Sequence, residues 1–100
     1  MTKQARDAFY NDLPDEDGQR CYDTLSAHSQ DAFETPVDFV PSQLLIPSTY
    51  LLCEGDAALA LQLQESMAAS VPGIKLERCT SGHSPFMSQP DRVIEILRKL

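Results

Sequence analysis

Two residues combine useful chemistry with a telling position: Asp56, in "CEGD", and His83, in "SGHS". Histidine titrates close to neutral pH, so it can take up and return a proton during a reaction. A carboxylate beside it fixes its tautomer and stabilises its imidazolium, as the acid of a Ser-His-Asp triad does. Ser84 follows His83 directly, and Gly82-His83-Ser84 invites a reading of Ser84 as a nucleophile. The pattern G-x-S-x-G presents such a serine on a sharp strand-to-helix turn. Here Gly82-His83-Ser84-Pro85-Phe86 keeps the first glycine only. Phe86 puts a large side chain where the turn needs none. Pro85 has no N–H, so it cannot supply the oxyanion donor expected after the nucleophile. Ser84 is therefore rejected as nucleophile, and His83 is the stronger candidate for the base.

The elements that would position these residues can be read around them. "PSTYLLCEGD" holds the apolar run Tyr50-Leu51-Leu52-Cys53 between Pro47 and Gly55, which predicts a buried strand. "AALALQLQESMAAS" predicts an amphipathic helix, with Leu59, Ala60, Leu63 and Met67 on one face and "VPG" at its end. "IKLERCT" alternates, with Ile74 and Leu76 opposite Lys75 and Glu77, and predicts a strand near a sheet edge. "SQPDRVIEILRKL" predicts a final helix. Ser88 and Asp91 approach a capping box there, and Val93, Ile96, Leu97 and Leu100 form its apolar stripe.

Strand, helix, strand, helix is the order of a parallel pair with a crossover. Asp56 then follows the first strand and His83 the second. Groups that bind or react in open α/β sheets gather at that end of the strands. Parallel neighbours would bring the two loops together, and acid before histidine agrees with the order Ser, Asp, His. Two plainer readings stand beside this one. Asp56 could be only a helix N-cap, and His83 only a solvated loop residue.

Ahead of residue 47 the signals are helical. Residues 1–13 read as irregular with a short turn of helix. Pro14 suits a first helical position, followed by Asp15, Glu16 and Asp17 where the helix dipole favours acids. That helix is expected to run to about Ala27, with Cys21, Tyr22 and Leu25 as its apolar positions and Gly18 as a weak point. A helical turn around Ser29–Phe33 and a loop with Pro36 and Pro41 complete the front.

Composition excludes several classes. The chain has 100 residues and a net charge of −7. The first 35 residues contribute −5 of this and the rest −2. An acidic surface without a basic stripe or aromatic platform repels phosphate backbones, so nucleic-acid binding is excluded. No apolar run is long enough to span a bilayer, which argues against a membrane partner, and the polar front is no secretory signal. Cys21, Cys53 and Cys79 lack metal-type spacing and are expected to be free thiols in a reducing, cytoplasmic setting. A metal site built on His28, His83 and the cysteines matches no ligand pattern.

Several stretches together resemble the C-terminal part of the α/β-hydrolase superfamily: "PSTYLLCEGD", Gln64 and Met67 in "QLQESM", and "SGHSPFMSQPDRVIEIL". They look most like the small esterases related to plant methyl esterases and hydroxynitrile lyases. "AFYNDLPDEDGQ" and "AHSQDAFETPV" resemble the helical cap of bacterial and fungal relatives. The resemblance covers about residues 8–100. It implies an α/β fold class: a C-terminal β-α-β-α portion with two parallel strands and helices (residues 41–100), preceded by a helical cap or lid segment (residues 1–40). It implies that Asp56 is the triad acid and His83 the triad histidine, with neither cofactor nor metal. Phe9, Tyr10 and Phe33 would face a pocket for the acyl or alcohol group, or simply pack cap on body. Phe86 and Met87 would pack under the histidine loop. The lyases of this branch carry a lysine after the histidine. Ser84 stands there instead, which implies ester hydrolysis rather than cyanohydrin chemistry.

The 100 residues contain no G-x-S-x-G. The expectation is therefore a fragment with acid and base but no nucleophile, inactive alone and weakly stable. Its partner would be a small-molecule ester once an N-terminal half completes it. The alternative is a non-catalytic binding or interaction module that associates through an open sheet edge.

Overall fold

A parallel pair of strands lies at the centre of the computed structural model, which describes residues 3–100. Met1 and Thr2, part of the expected irregular front and cap segment, lie outside the described residues. Strand β1 is Thr49–Cys53 and strand β2 is Lys75–Cys79, in a register that runs from Thr49 opposite Lys75 to Cys53 opposite Cys79. Helix α4, Leu61–Ala69, connects them. After β2 come α5, Pro85–Ser88, and α6, Pro90–Arg98. The front holds α1, Lys3–Phe9, α2, Asp15–Asp23, α3, Gln30–Glu34, and a 3-10 turn at Pro41–Gln43. The architecture is thus α/β, two parallel strands with helices. Among the described residues no helix is long and apolar enough to cross a membrane.

The core is small. Leu52, Cys53, Ala68, Cys79 and Ile96 are buried, with Leu52 at 0% exposure. Burying one leucine contributes about 1.5–3 kcal/mol. The polar member of this core is Gln64, on α4. Its Oε1 accepts the Cys53 N–H at 2.8 Å, and its Nε2 donates to the carbonyls of Cys53 at 2.9 Å and Leu59 at 2.8 Å. Both backbone groups of the last β1 residue are thereby satisfied, as the burial of peptide groups requires.

That amide also explains why α4 presents a different face from the expected one. The buried positions are Gln64 and Ala68, one turn apart, while Leu63 stays 50% exposed and Met67 is exposed as well. The helix is rotated so that Gln64 reaches β1, and its apolar spacing alone points the wrong way. Helix α6 differs at its start. Gln89 is the N-cap residue and makes no side-chain capping bond, because its amide donates instead to Thr80 Oγ1 at 3.0 Å. Ser88 closes α5, so the expected capping box with Asp91 does not form. Of the α6 stripe only Ile96 is buried, while Leu97 and Leu100 are exposed.

A second set of bonds ties α6 to β2. Glu77 lies 3.0 Å from Arg92 and 3.3 Å from Lys99, and Arg92 Nη2 also donates to the Arg78 carbonyl at 2.9 Å. Hydrogen bonds from Lys99 and Arg92 hold the Glu77 carboxyl below its ordinary range.

The front segment is more ordered at its beginning than expected, since Lys3–Phe9 is a full helix. Helix α2 in turn stops four residues short of Ala27. Thr24 ends it: its hydroxyl donates to the Cys21 carbonyl at 2.7 Å, and i to i+3 bonds from Thr24 and Leu25 tighten the last turn. From residue 26 to residue 47 every residue is exposed, including Phe33, Val37, Phe39 and Ile46, and Leu45 is 100% exposed.

Candidate functional site

At the carboxyl end of β1 the chain turns through Glu54 and Gly55 into Asp56. The turn stays joined to the neighbouring strand: the Glu54 N–H donates to the Cys79 carbonyl at 3.0 Å and the Gly55 N–H to the Ser81 carbonyl at 2.9 Å. A Cβ on residue 55 would stand 3.0 Å from the Thr80 carbonyl oxygen, so glycine permits this close approach. The loops after β1 and β2 are thus held side by side before any side chain is considered.

The Asp56 carboxylate serves both loops. Its Oδ1 accepts the N–H groups of Ala58 at 2.8 Å and Leu59 at 2.9 Å. Its Oδ2 lies 2.9 Å from His83 Nδ1. Helix α4 begins later, at Leu61 with Ala60 before it, so Asp56 organises the turn ahead of the helix rather than capping it. Its side chain is 5% exposed. Burial opposes the charge, but hydrogen bonds from Leu59, His83 and Ala58 outweigh burial and hold the carboxyl below its ordinary value.

The His83 side chain is 39% exposed, so the imidazole bridges the buried carboxylate and the surface. With its Nδ1–H donating to Asp56, the neutral ring carries a lone pair on Nε2. A buried carboxylate with an oriented, half-open imidazole is an arrangement that can accept and return a proton. Burial pushes the neighbouring Cys53 thiol up to about 11. Cys21, Cys53 and Cys79 are free thiols. Among the described residues no three His, Cys, Asp or Glu side chains form a cluster that could hold a metal ion.

The other residues singled out in the sequence fall in different places. Ser84 is buried, and its hydroxyl donates to the Phe9 carbonyl at 2.9 Å. The Phe9 ring lies against His83 with centroids 5.4 Å apart, and Tyr10 meets Phe9 edge-on. Phe33 stacks instead on His28, at 4.6 Å. Phe86 and Met87 are exposed, not packed under the histidine loop.

Two residues that sequence reasoning missed also reach the site. Asn11 Nδ2 donates to the Gly55 carbonyl at 2.8 Å, and Asp12 Oδ2 accepts the Gly82 N–H at 2.7 Å. A Cβ at position 82 would overlap Asn11 Oδ1, so glycine lets the Asn11 and Asp12 side chains sit where they are. These bonds span 44 and 70 residues of chain. Gly82, next to the histidine, was the only local signal of a close approach.

The chain is 33% identical over 96 residues to a protein of Aspergillus novofumigatus described as "Alpha/beta hydrolase nvfD". The match covers 95% of this chain and 38% of that protein, so the chain spans less than half the length of this relative. No family model matches the chain. No solved structure matches it significantly.

Proposed function

Because this similarity supports the α/β-hydrolase superfamily, we propose that the chain is the acid–base portion of a serine ester hydrolase of the small esterase branch. Residues 1–40 act as its helical cap segment and residues 41–100 as the C-terminal strand-helix-strand-helix of its core. His83 is the general base and Asp56 the acid that orients it. The observation that carries this reading is the 2.9 Å bond from His83 Nδ1 to a carboxylate whose other oxygen is fixed by two backbone N–H groups.

In this mechanism Nε2 of His83 takes the proton of a serine hydroxyl as the oxygen attacks an ester carbonyl. It then returns the proton to the departing alcohol, and a water repeats the cycle to release the acid. Asp56 stays ionised throughout, stabilising the imidazolium, and the chemistry calls for no cofactor. The serine and the oxyanion donors are supplied by a complementary segment, and the 100 residues alone are inactive. The apolar groove between Thr49, Leu51, Val93, Ile96, Leu97 and Leu100 supports such completion, since it leaves Leu97 and Leu100 exposed beside β1.

The test is complementation. The chain is combined with the part of the Aspergillus relative that it does not match, and p-nitrophenyl ester hydrolysis is followed. We expect no turnover by the chain alone and turnover by the pair that requires both His83 and Asp56. Undiminished hydrolysis by a pair carrying His83→Ala would refute the assignment.

A further inference from the structure

The four-residue stretch from Phe9 to Asp12 touches the site at two backbone groups and one side-chain hydroxyl, and each belongs to the immediate neighbour of a proposed acid or base. Asn11 holds the Gly55 carbonyl, one residue before Asp56. Asp12 holds the Gly82 N–H, one residue before His83. The Phe9 carbonyl holds the Ser84 hydroxyl, one residue after His83, and the Phe9 ring leans on the imidazole. Gly82 and Ser84 are buried, so their donors have few alternatives in water. A buried donor left without a partner costs about 1–3 kcal/mol, and a carboxylate acceptor makes the stronger kind of bond.

We propose that Asn11 and Asp12 are positioning residues that cross-brace the two loops and keep His83 Nδ1 on Asp56. This rests on the acid–base reading of that pair. Neither residue touches a reacting atom; each acts through the backbone next to the residue it positions. Gly82 fits the same role, because a Cβ there would press on the Asn11 and Asp12 side chains, whereas one at Gly55 would press on the Thr80 and Ser81 carbonyls and part the two loops. The front segment is then part of the working site as well as a cover over it.

Imidazole tautomer state is the readout, because a merely structural role would leave it unchanged. Nitrogen-15 NMR of the full 100-residue chain, in alkaline buffer where imidazoles are neutral, reports the Nδ1–H fraction. Gly82 amide hydrogen exchange is measured in parallel. The native chain is expected to hold His83 mainly as Nδ1–H. In Asp12→Ala, Gly82 exchange should accelerate at least about tenfold, and the Nδ1–H fraction should fall toward that of free histidine. Asp12→Asn, which keeps an acceptor oxygen, should restore most of both. Asn11→Ala provides a second variant should Asp12→Ala fail to fold, and it should shift the tautomer in the same direction. Asp56→Asn is the reference that removes the pair itself. If Asp56→Asn changes the tautomer while the Asn11 and Asp12 variants leave it unchanged, the brace is overturned and the pair stands. If the native chain already shows the free-histidine ratio, the pair and the brace fall together.

Discussion

The loop end of the two strands and the stretch from residue 26 to residue 47 stand in contrast. At the first, Asp56, His83, Asn11, Asp12 and Ser84 are joined by hydrogen bonds that cross long stretches of chain. In the second, every residue is exposed, and Phe33, Val37, Phe39, Leu45 and Ile46 contribute little to the core. Polar groups at the loop end find their partners across the fold, whereas the apolar side chains of the connecting stretch stay exposed, Phe33 meeting only nearby His28. Stability and site geometry therefore depend on the former, and the latter is the part that is open to a cover.

Substitutions can break or sharpen that contrast. The largest effect is expected for Leu52→Ala, which empties the centre of a small core and should cost about 2–5 kcal/mol in denaturant unfolding. Gln64→Ala comes next. It leaves the Cys53 N–H buried and unpaired and the Cys53 carbonyl with only the Asp56 N–H at 3.3 Å, and a loss of about 1–3 kcal/mol in the same assay is expected. Acid is a milder probe. The Asp56 carboxyl is held below its ordinary value near 3.8 in the folded chain, so its contribution is complete above that value. It is lost as pH falls through the lower folded value. Native chain and Asp56→Asn should therefore differ in stability at pH 6, and the gap should shrink as acid takes the pH below that ordinary value and through the lower folded one; a constant gap would contradict the bonding around Asp56. The smallest effect is expected in the exposed stretch, where Leu45→Ser should stay within about 0.5 kcal/mol. A larger loss there would mean that residues 26–47 are covered in solution.

Much of this organisation was legible in sequence where one local pattern decides the structure. Tyr50 to Cys53 is an apolar run between breakers and forms β1, and the alternation of "IKLERCT" gives β2, though not with the expected faces: Leu76 is 50% exposed, while Glu77 is half-buried because Arg92 and Lys99 bond it. The placement of Asp56 and His83 after consecutive parallel strands followed from those two elements. What was not legible depends on partners distant in the chain. Leu63 and Met67 carried the helical period, but Gln64 fixed the face because its amide answers the backbone of Cys53. Ser88 matched a cap signature, yet Gln89 bonds Thr80 and Pro90 opens the helix. Asn11 and Asp12 lie in the stretch that resembles a cap, but nothing local marks them as site residues, since their value comes from loops 44 and 70 residues away.

The Gln64 amide has one further consequence, for how the sheet can grow. In a parallel ladder, alternate residues of a strand offer their backbone to opposite sides. Cys53 offers its N–H and carbonyl to the side away from β2, and the glutamine already occupies both. A third strand laid along that edge can zip onto the Thr49 end of β1 but finds its docking points taken at the Cys53 end. It must veer away from β1 just short of Asp56.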